Sequence, residues 1–252
     1  MKFIILGCGS SMGVPRADGF FGNCNPKNLK NLRSRCSAII IGKSKNILID
    51  TSPDLRQQLI KNKIKKIDTV LYTHMHADQT HGINDLRIFY LRNKKKIPVY
   101  ADTKTKKYLL KSFSYCFQKN YDYPSILKLN NSKKKFTFDK SIKIESIKVG
   151  HGSINSLSYI INKKLAYLPD VNKIFKKDLK KFKKLNYLII DCLRYKKHSS
   201  HFNLDDIFKL NKLLKPKKMI LTNLHSDLDY DDLLDILPKN IKPAYDGLTV
   251  KI

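Results

Sequence analysis

The sequence predicts an α/β sandwich formed by one domain over residues 1–252. Short apolar segments of strand length alternate with segments of helical pattern along the whole chain. No internal repeat and no Pro- or Ser-rich linker interrupts this alternation. The hydrophobic content of 42% is too high for a disordered basic tail, and a chain of 252 residues can bury a sizeable core.

The first half of the chain contains the clearest strand signals. The apolar segment 2–6 predicts a strand that runs into a glycine turn at Gly7 and Gly9. Residues 51–54 resemble a helix start, so we expect a helix over 54–62. A second helix is expected over 80–93. The Lys- and Tyr-rich segment 104–140 gives no clear pattern. The remaining strands are expected over residues 37–41, 46–50, 69–72 and 99–101.

The second half continues the alternation. Asn203, followed by Asp206 three residues later, is typical of a capped helix start. We expect helices over 172–183, 204–214 and 229–237. Strands are expected over residues 142–149, 156–161, 165–168, 187–191, 219–222 and 248–252.

The formal net charge of +29 comes from 50 basic and 21 acidic residues. Seven of the basic residues are Arg and 43 are Lys, in a chain that is also rich in Ile and Asn. A surplus of Lys, Ile and Asn is what an AT-rich genome produces. Arg side chains, which bind phosphates and bases through two hydrogen bonds, are scarce. A basic surface favours anionic partners in general, and a nucleic-acid partner is an alternative that is not favoured.

The cysteines and the apolar segments predict a cytoplasmic protein. The five cysteines are widely spaced and include no CxxC pair, which suits reduced thiols better than disulfides. No apolar run reaches the roughly 18–20 residues of a membrane span, so no membrane partner is expected. A homodimer is left open.

The strongest local signal is a group of polar residues directly after the expected strand 69–72. His74 and His76 are two residues apart, which points both side chains the same way on an extended segment, and Asp78 follows. Two imidazoles with a carboxylate suit a metal such as zinc. An HxH pair in a surface loop without a function is the alternative.

The positions of the other histidines favour the metal site. All seven lie at an expected strand end or in the segment next to one. A layered α/β fold builds ligand sites from such strand ends. The histidines are His74, His76, His81, His151, His198, His201 and His225.

With Asp170 after another strand, this arrangement resembles the metallo-β-lactamase superfamily over essentially the whole chain. The order His74, His76, Asp78, His151, Asp170 and the strand end 221–223 matches that family. Several segments look like the branch that contains phosphoribosyl cyclic phosphodiesterases. These segments are residues 7–15, 23–26, 33–37, 49–56, 81–87 and 244–247.

The resemblance implies a four-layer αββα sandwich with metals at one edge of the two sheets. His74, His76 and His151 would bind the first metal ion. Asp170 would bridge to a second ion, which Asp78 would also bind.

The sequence departs from the family at the second metal site. Two further histidines are usual there, and this chain has Gln79 and Asn223 instead. Oxygen-only ligation disfavours zinc relative to manganese or magnesium. Our hypothesis is one firmly bound Zn²⁺ or Mn²⁺ at the first site and a weak, altered or empty second site.

A rival hypothesis keeps two metals. His81 and His225 each lie two residues beyond a missing ligand and would replace it if both segments are extended. A helix starting near Thr80 would instead turn His81 away. In that case both histidines would serve in hydrogen bonding or in loop packing.

These residues predict a metal-dependent hydrolase, with a small cyclic phosphodiester as the substrate that the branch resemblance suggests. A metal lowers the pKa of a water towards about 7. Asp78 would orient that water or accept its proton, and His201, with His198 as a competitor, would assist the leaving oxygen. The alternatives are an endoribonuclease of the tRNA 3′-processing type and a non-catalytic binding protein on a degenerate hydrolase scaffold.

Overall fold

The computed structural model describes residues 1–119 and 123–252, and two seven-stranded sheets form its framework. The first sheet has the strand order β14-β1-β2-β3-β4-β5-β6. Its strands β14 to β3 pair antiparallel, and β3 to β6 pair parallel. The strands are β1 (Lys2–Gly7), β2 (Ser37–Ile41), β3 (Asn46–Ile49), β4 (Thr69–Leu71), β5 (Ile97–Ala101), β6 (Leu127–Asn131) and β14 (Thr249–Lys251).

The second sheet has the strand order β13-β12-β11-β10-β9-β8-β7. Strands β10 to β13 pair parallel, and β7 to β10 pair antiparallel. The strands are β7 (Lys135–Phe138), β8 (Ile142–His151), β9 (Ile154–Ile161), β10 (Leu165–Leu168), β11 (Tyr187–Asp191), β12 (Lys218–Thr222) and β13 (Ile241–Pro243).

Helices cover the outer face of each sheet, which completes the four-layer αββα sandwich that the sequence predicted. The α-helices are α1 (Leu55–Lys61), α2 (Ala77–Thr80), α3 (Arg87–Asn93), α4 (Thr103–Ser112), α5 (Ser114–Phe117), α6 (Leu204–Leu214) and α7 (Tyr230–Ile236). Three short 3-10 helices lie at Leu29–Asn31, Ile83–Leu86 and Lys176–Phe182.

The alternation of side chains along the strands explains the layers. In β1, Phe3 and Ile5 pack into the core between the sheets, whereas Ile4 and Leu6 pack into the core beneath α1 and α3. In β11, Ile189 belongs to the central core, and its neighbour Ile190 packs under α6. Strands that are buried on both faces have continuous apolar sequences, so these strands could be predicted from the sequence.

Two expected helices differ from the structure. The expected helix 172–183 is a 3-10 helix at Lys176–Phe182, so this expectation was wrong in type and extent. Its segment is rich in Lys, and an ion pair joins Lys181 to Asp178 at the spacing of three residues that eclipses on a 3-10 helix. The expected helix 80–93 is divided into the end of α2, a 3-10 turn and α3.

The middle of the chain holds elements that the sequence did not resolve. Within 104–140 the structure places most of α4, α5, β6 and β7, and residues 120–122 of that segment lie outside the described part. Each of the five cysteines is a buried free thiol. Among the described residues, no helix has the length and apolar character that crossing a membrane requires. The cytoplasmic location stays a prediction.

Candidate active site

The predicted site residues meet at one edge of the two sheets, where several strands end. His74 and His76 follow β4, His151 ends β8, and Asp170 follows β10. Asp191 ends β11. The carboxyl ends of parallel strands meet at one edge, and this topology brings together residues that lie far apart in sequence. His76, His151 and Asp170 line a pocket of about 780 Å³, and His74 and Asp191 are buried beside it.

Three histidines form a compact triangle in this pocket. The ring centroids of His74 and His76 are 4.5 Å apart, and those of His151 lie 5.0 and 5.1 Å from them. One ring nitrogen from each lies within 4.8 Å of the other two. His74 and His151 are buried, whereas His76 faces the opening. Such a triangle suits a single cation.

A chain of hydrogen bonds fixes the tautomer of His74. The hydroxyl of Thr73 donates to the buried carboxylate of Asp50 (2.9 Å), so it accepts from Nδ1 of His74 (3.0 Å). The Nε2 atom of His74 then carries a lone pair, and it is buried without any hydrogen-bond partner. A buried acceptor without a partner is costly unless a ligand uses it, so this atom fits a metal.

His151 is oriented in the same way from the other sheet. Its Nδ1 donates to the carbonyl oxygen of Ser200 (2.8 Å), which leaves the lone pair on Nε2. That Nε2 lies 3.4 Å from Nδ1 of His76. Ligands about 2.0–2.1 Å from a tetrahedral zinc are roughly 3.3 Å apart. The three histidines therefore fit the first metal site of the sequence hypothesis.

The protonation of these rings also suits a metal. Burial lowers the pKa of His74 well below its usual value, and the neighbouring histidines lower it further. Burial and the neighbouring rings lower the pKa of His151 to about 4, although its bond to Ser200 acts in the opposite direction. Both imidazoles are neutral at pH 7, as metal ligation requires.

The expected second site contains amide nitrogens beside its carboxylates. The fully buried Gln79 donates from Nε2 to Asp78 (3.0 Å) and to Asp170 (3.2 Å). The amide nitrogen of Asn223 lies 3.4 Å from Asp170 and 3.2 Å from Asp191. In their ionised form the carboxyls only accept hydrogen bonds, which orients the amide nitrogens inwards. An N–H group is no metal ligand, so these two nitrogens do not fit a second cation, although the buried Oε1 of Gln79 has no hydrogen-bond partner.

Asp170 is a fully buried carboxyl with a strongly raised pKa. Burial raises its pKa well above the usual range, and the nearby carboxyls of Asp78 and Asp191 raise it further. One of its oxygens lies 4.0 Å from Nε2 of His151, so it borders the triangle of histidines. Asp170 can therefore reach an ion at the first site.

His201 lies against the same pocket and is paired with a residue that the sequence analysis did not select. Its Nδ1 donates to the carboxylate of Asp191, 2.6 Å away at the end of β11. Burial lowers the pKa of His201, but Asp191 outweighs this effect and raises it overall. Burial raises the pKa of Asp191 to about 6, against the effect of His201. The signal for Asp191 was its place at the end of an apolar strand, level with Asp170 and Asn223.

The structure contradicts the rival hypothesis that His81 and His225 rebuild the second site. His81 follows the short helix α2 and is exposed, with its Nε2 2.8 Å from the hydroxyl of Tyr108. The helical turn has carried it away from the pocket. His225 does line the pocket, but its Nδ1 lies 3.0 Å from the carboxylate of Asp227. One displaced histidine is enough to exclude that arrangement.

The outer wall of the pocket comes from the loop after β11 and from the glycine turn after β1. Arg194, His198, Ser10 and Ser11 line the pocket there, and the ring centroids of His198 and His201 are 5.1 Å apart. The guanidinium of Arg194 donates to the carbonyl oxygens of residues 196 and 197. Burial, then His201 and Arg194, lower the pKa of His198. His201 is thus the better placed of the two candidate acids.

Comparison with known proteins agrees with this geometry. The beta-lactamase superfamily domain matches residues 45–223. A crystal structure of a diphosphatase from the PhnP family is 30% identical, with a TM-score of 0.89, and the match covers 100% of this chain and 97% of that one. The chain therefore belongs to the metallo-β-lactamase superfamily of hydrolases and, within it, to the PhnP-like branch.

More distant structures share the fold. Zn²⁺-bound PqqB from Methylobacterium extorquens is 16% identical with a TM-score of 0.73, and the match covers 100% of both chains. The short form of human tRNase Z is 16% identical with a TM-score of 0.71, over 100% of this chain and 99% of that one.

A curated relative from Porphyromonas gingivalis strain W83 is much longer. It is named octanoyltransferase and is 33% identical over 98% of this chain. This chain spans about half of that protein, 51% of its length.

Proposed function

We propose that this protein is a metal-dependent phosphodiesterase that acts on a small, cyclic phosphodiester. The observation that carries the proposal is the meeting of the three-histidine triangle with the His201–Asp191 pair in one pocket. A pocket of about 780 Å³ is in the range that small-molecule ligands occupy. The similarity to a diphosphatase of the PhnP family supports phosphate chemistry.

One firmly bound ion, Zn²⁺ or Mn²⁺, is proposed for the site of His74, His76 and His151. A divalent ion there supplies Lewis acidity, which lowers the pKa of a water and polarises a phosphoryl oxygen. Asp170 supports the ion from the side of the second sheet. The amide nitrogens of Gln79 and Asn223 favour a weak or absent second ion, because they already hold the carboxylates that it would need.

The side chains divide the proton transfers between them. Asp78 lines the pocket and accepts the proton of the attacking water, whose oxygen bonds to phosphorus. As the ester P–O bond breaks, His201 donates a proton to the leaving oxygen from its Nε2 side. Asp191 supports this role, because its carboxylate on Nδ1 favours the protonated imidazole. Arg194 and the many lysines attract the anionic substrate.

An endoribonuclease of the tRNA 3′-processing type is the second candidate. The net charge of +29 favours it, and the human tRNase Z structure has the same fold. The amides in the second site count against the endoribonuclease if its reaction needs two metal ions. Cleavage of precursor tRNA that falls steeply as salt is raised would favour this candidate.

Hydrolysis of bis-p-nitrophenyl phosphate and of cyclic ribose phosphates, with Zn²⁺ or Mn²⁺ added, tests the proposal. His76→Ala should remove turnover, because it removes one corner of the triangle. His81→Ala is the matched control, since that histidine lies outside the pocket. Failure of the wild type to turn over any of these substrates, with His76→Ala indistinguishable from it, would leave a binding protein on a hydrolase scaffold.

A further inference from the structure

A groove on the surface, away from the active site, combines an apolar floor with a cationic rim. It lies between α1 and α3 on the outer face of the first sheet, with a volume of about 720 Å³. Three of its apolar side chains are unusually exposed, namely Ile60 (63%), Ile88 (53%) and Leu91 (38%). Exposed apolar residues that cluster within a polar rim are typical of an interaction surface.

The rim of this groove carries cations without carboxylate partners. Arg56, Lys63, Lys65 and Arg92 are exposed around it, and the ion pairs found in residues 1–119 and 123–252 involve other cations. Asp85 is the one carboxylate among the described lining residues. The groove therefore suits an acidic ligand with an apolar face.

The chain carries a segment with that chemistry on its opposite side. Five of its 21 acidic residues lie within residues 227–235, a stretch that contains no Lys or Arg although the chain has a net charge of +29. On helix α7, Asp235 and Ile236 (51%) lie three and four residues after Asp232, so these three exposed side chains share one face. The general enrichment of the chain in Lys does not explain why this helix is acidic.

We propose that α7 of one copy of this protein docks into the α1–α3 groove of another copy. The charges of this face and of the rim are complementary, and Ile236 on the same face would enter the apolar floor of the groove. Helix α7 packs on the second sheet and the groove lies over the first, so the two surfaces are on opposite outer layers. Such a contact is heterologous and adds copies head to tail in a ring or a row.

Sedimentation of the full chain over a series of concentrations, at low and at high salt, tests this contact. The wild type should self-associate at low salt and dissociate as salt screens the rim. Asp232→Lys with Asp235→Lys, or Lys63→Glu with Arg92→Glu, should each abolish self-association. Asp18→Lys with Asp205→Lys makes the same charge change at other exposed positions and should leave it intact. Circular dichroism would show that each variant is folded.

A mixture of the two variants and a chain with all four substitutions make the test specific. The helix variant retains a normal groove and the groove variant retains a normal α7, so an equimolar mixture should associate again, with the two variants alternating. A chain with all four substitutions should associate again, because both charges are reversed. A wild type that stays monomeric at low salt, or a mixture that forms no pair, would overturn the proposal. Neither result bears on the proposed hydrolysis, because no residue of the active site is changed.

Discussion

The side-chain nitrogen of Gln79 lies 3.2 Å from a carboxylate oxygen of Asp170, beside the pocket of the candidate active site. The same nitrogen also contacts Asp78, and the amide of Asn223 contacts Asp170 from the other side. The neutral amide groups thus donate hydrogen bonds to two carboxylates that would otherwise bind a cation. This network is the physical basis of our proposal that the protein binds a single metal ion firmly.

Restoring imidazoles at these two positions should create a second metal site. The double variant Gln79→His with Asn223→His replaces donors by lone-pair ligands beside Asp78 and Asp170. We expect the wild type to retain one ion per chain after gel filtration, and the double variant to retain two. Elemental analysis of both proteins measures this directly. Two ions in the wild type would contradict the single-metal account, whatever the activity.

Loss of the Asp191 carboxylate should weaken His201 as an acid. Asp191 raises the pKa of His201, so Asp191→Asn lowers it, and the protonated ring is lost at a lower pH. We expect kcat to fall by roughly 10²- to 10⁴-fold and its alkaline limb to move to lower pH. Asp227→Asn is the control, because it removes the carboxylate beside His225 instead. An unchanged pH profile in Asp191→Asn would show that His201 does not depend on this carboxylate.

The hydroxyl of Thr73 should matter for metal binding although it touches no metal. Thr73→Val keeps the shape of the side chain but breaks the link between Asp50 and Nδ1 of His74. We expect metal affinity to fall by about 10- to 100-fold, as for other residues that orient a ligand. Thr69→Val removes a buried hydroxyl that bonds only the carbonyl oxygen of residue 68. Equal metal affinities of the two variants, measured by chelator competition, would remove this role from Thr73.

Asp246 should make stability depend on pH. Burial raises its pKa from 3.8 to about 6, although bonds from Ser34 and Cys8 oppose this. The folded state therefore binds the proton more tightly than the unfolded state, and the stabilising effect is complete below the unfolded pKa. It is lost as pH rises through about 6. Asp246→Asn cannot titrate at this position.

Urea unfolding of wild type and Asp246→Asn across this range checks the sign. The free energy of unfolding of the wild type should fall relative to that of the variant as pH rises from 3.8 to about 6. The difference should be constant above that range. A difference that moves in the opposite direction would mean that the hydrogen bonds to Asp246 outweigh its burial.

The sequence was sufficient for the fold and for most of the site, because both depend on patterns that are local. Continuous apolar runs identified the buried strands, and polar residues at their ends identified His74, His151 and Asp170. The position of His81 depends on the single helical turn of α2. The spacing of residues in the sequence could not show whether that turn forms. Asp191 was missed because its role comes from a contact with His201 across a loop of ten residues.

The orientation of the two amides was also beyond the sequence. Gln79 and Asn223 could have presented oxygen to a hard cation, and the choice depends on which acceptors surround them. The carboxylates of Asp78, Asp170 and Asp191 converge there from helix α2 and from the ends of β10 and β11. Only the folded arrangement shows that nitrogen faces them.

The most direct test of the account measures bound metal and turnover of bis-p-nitrophenyl phosphate in the same preparations of wild type, His151→Ala and His81→Ala. The account predicts one ion per chain together with turnover in the wild type and in His81→Ala, and the loss of both in His151→Ala. Turnover in His151→Ala at the rate of the wild type would contradict it, because the triangle of histidines would then have no part in the chemistry.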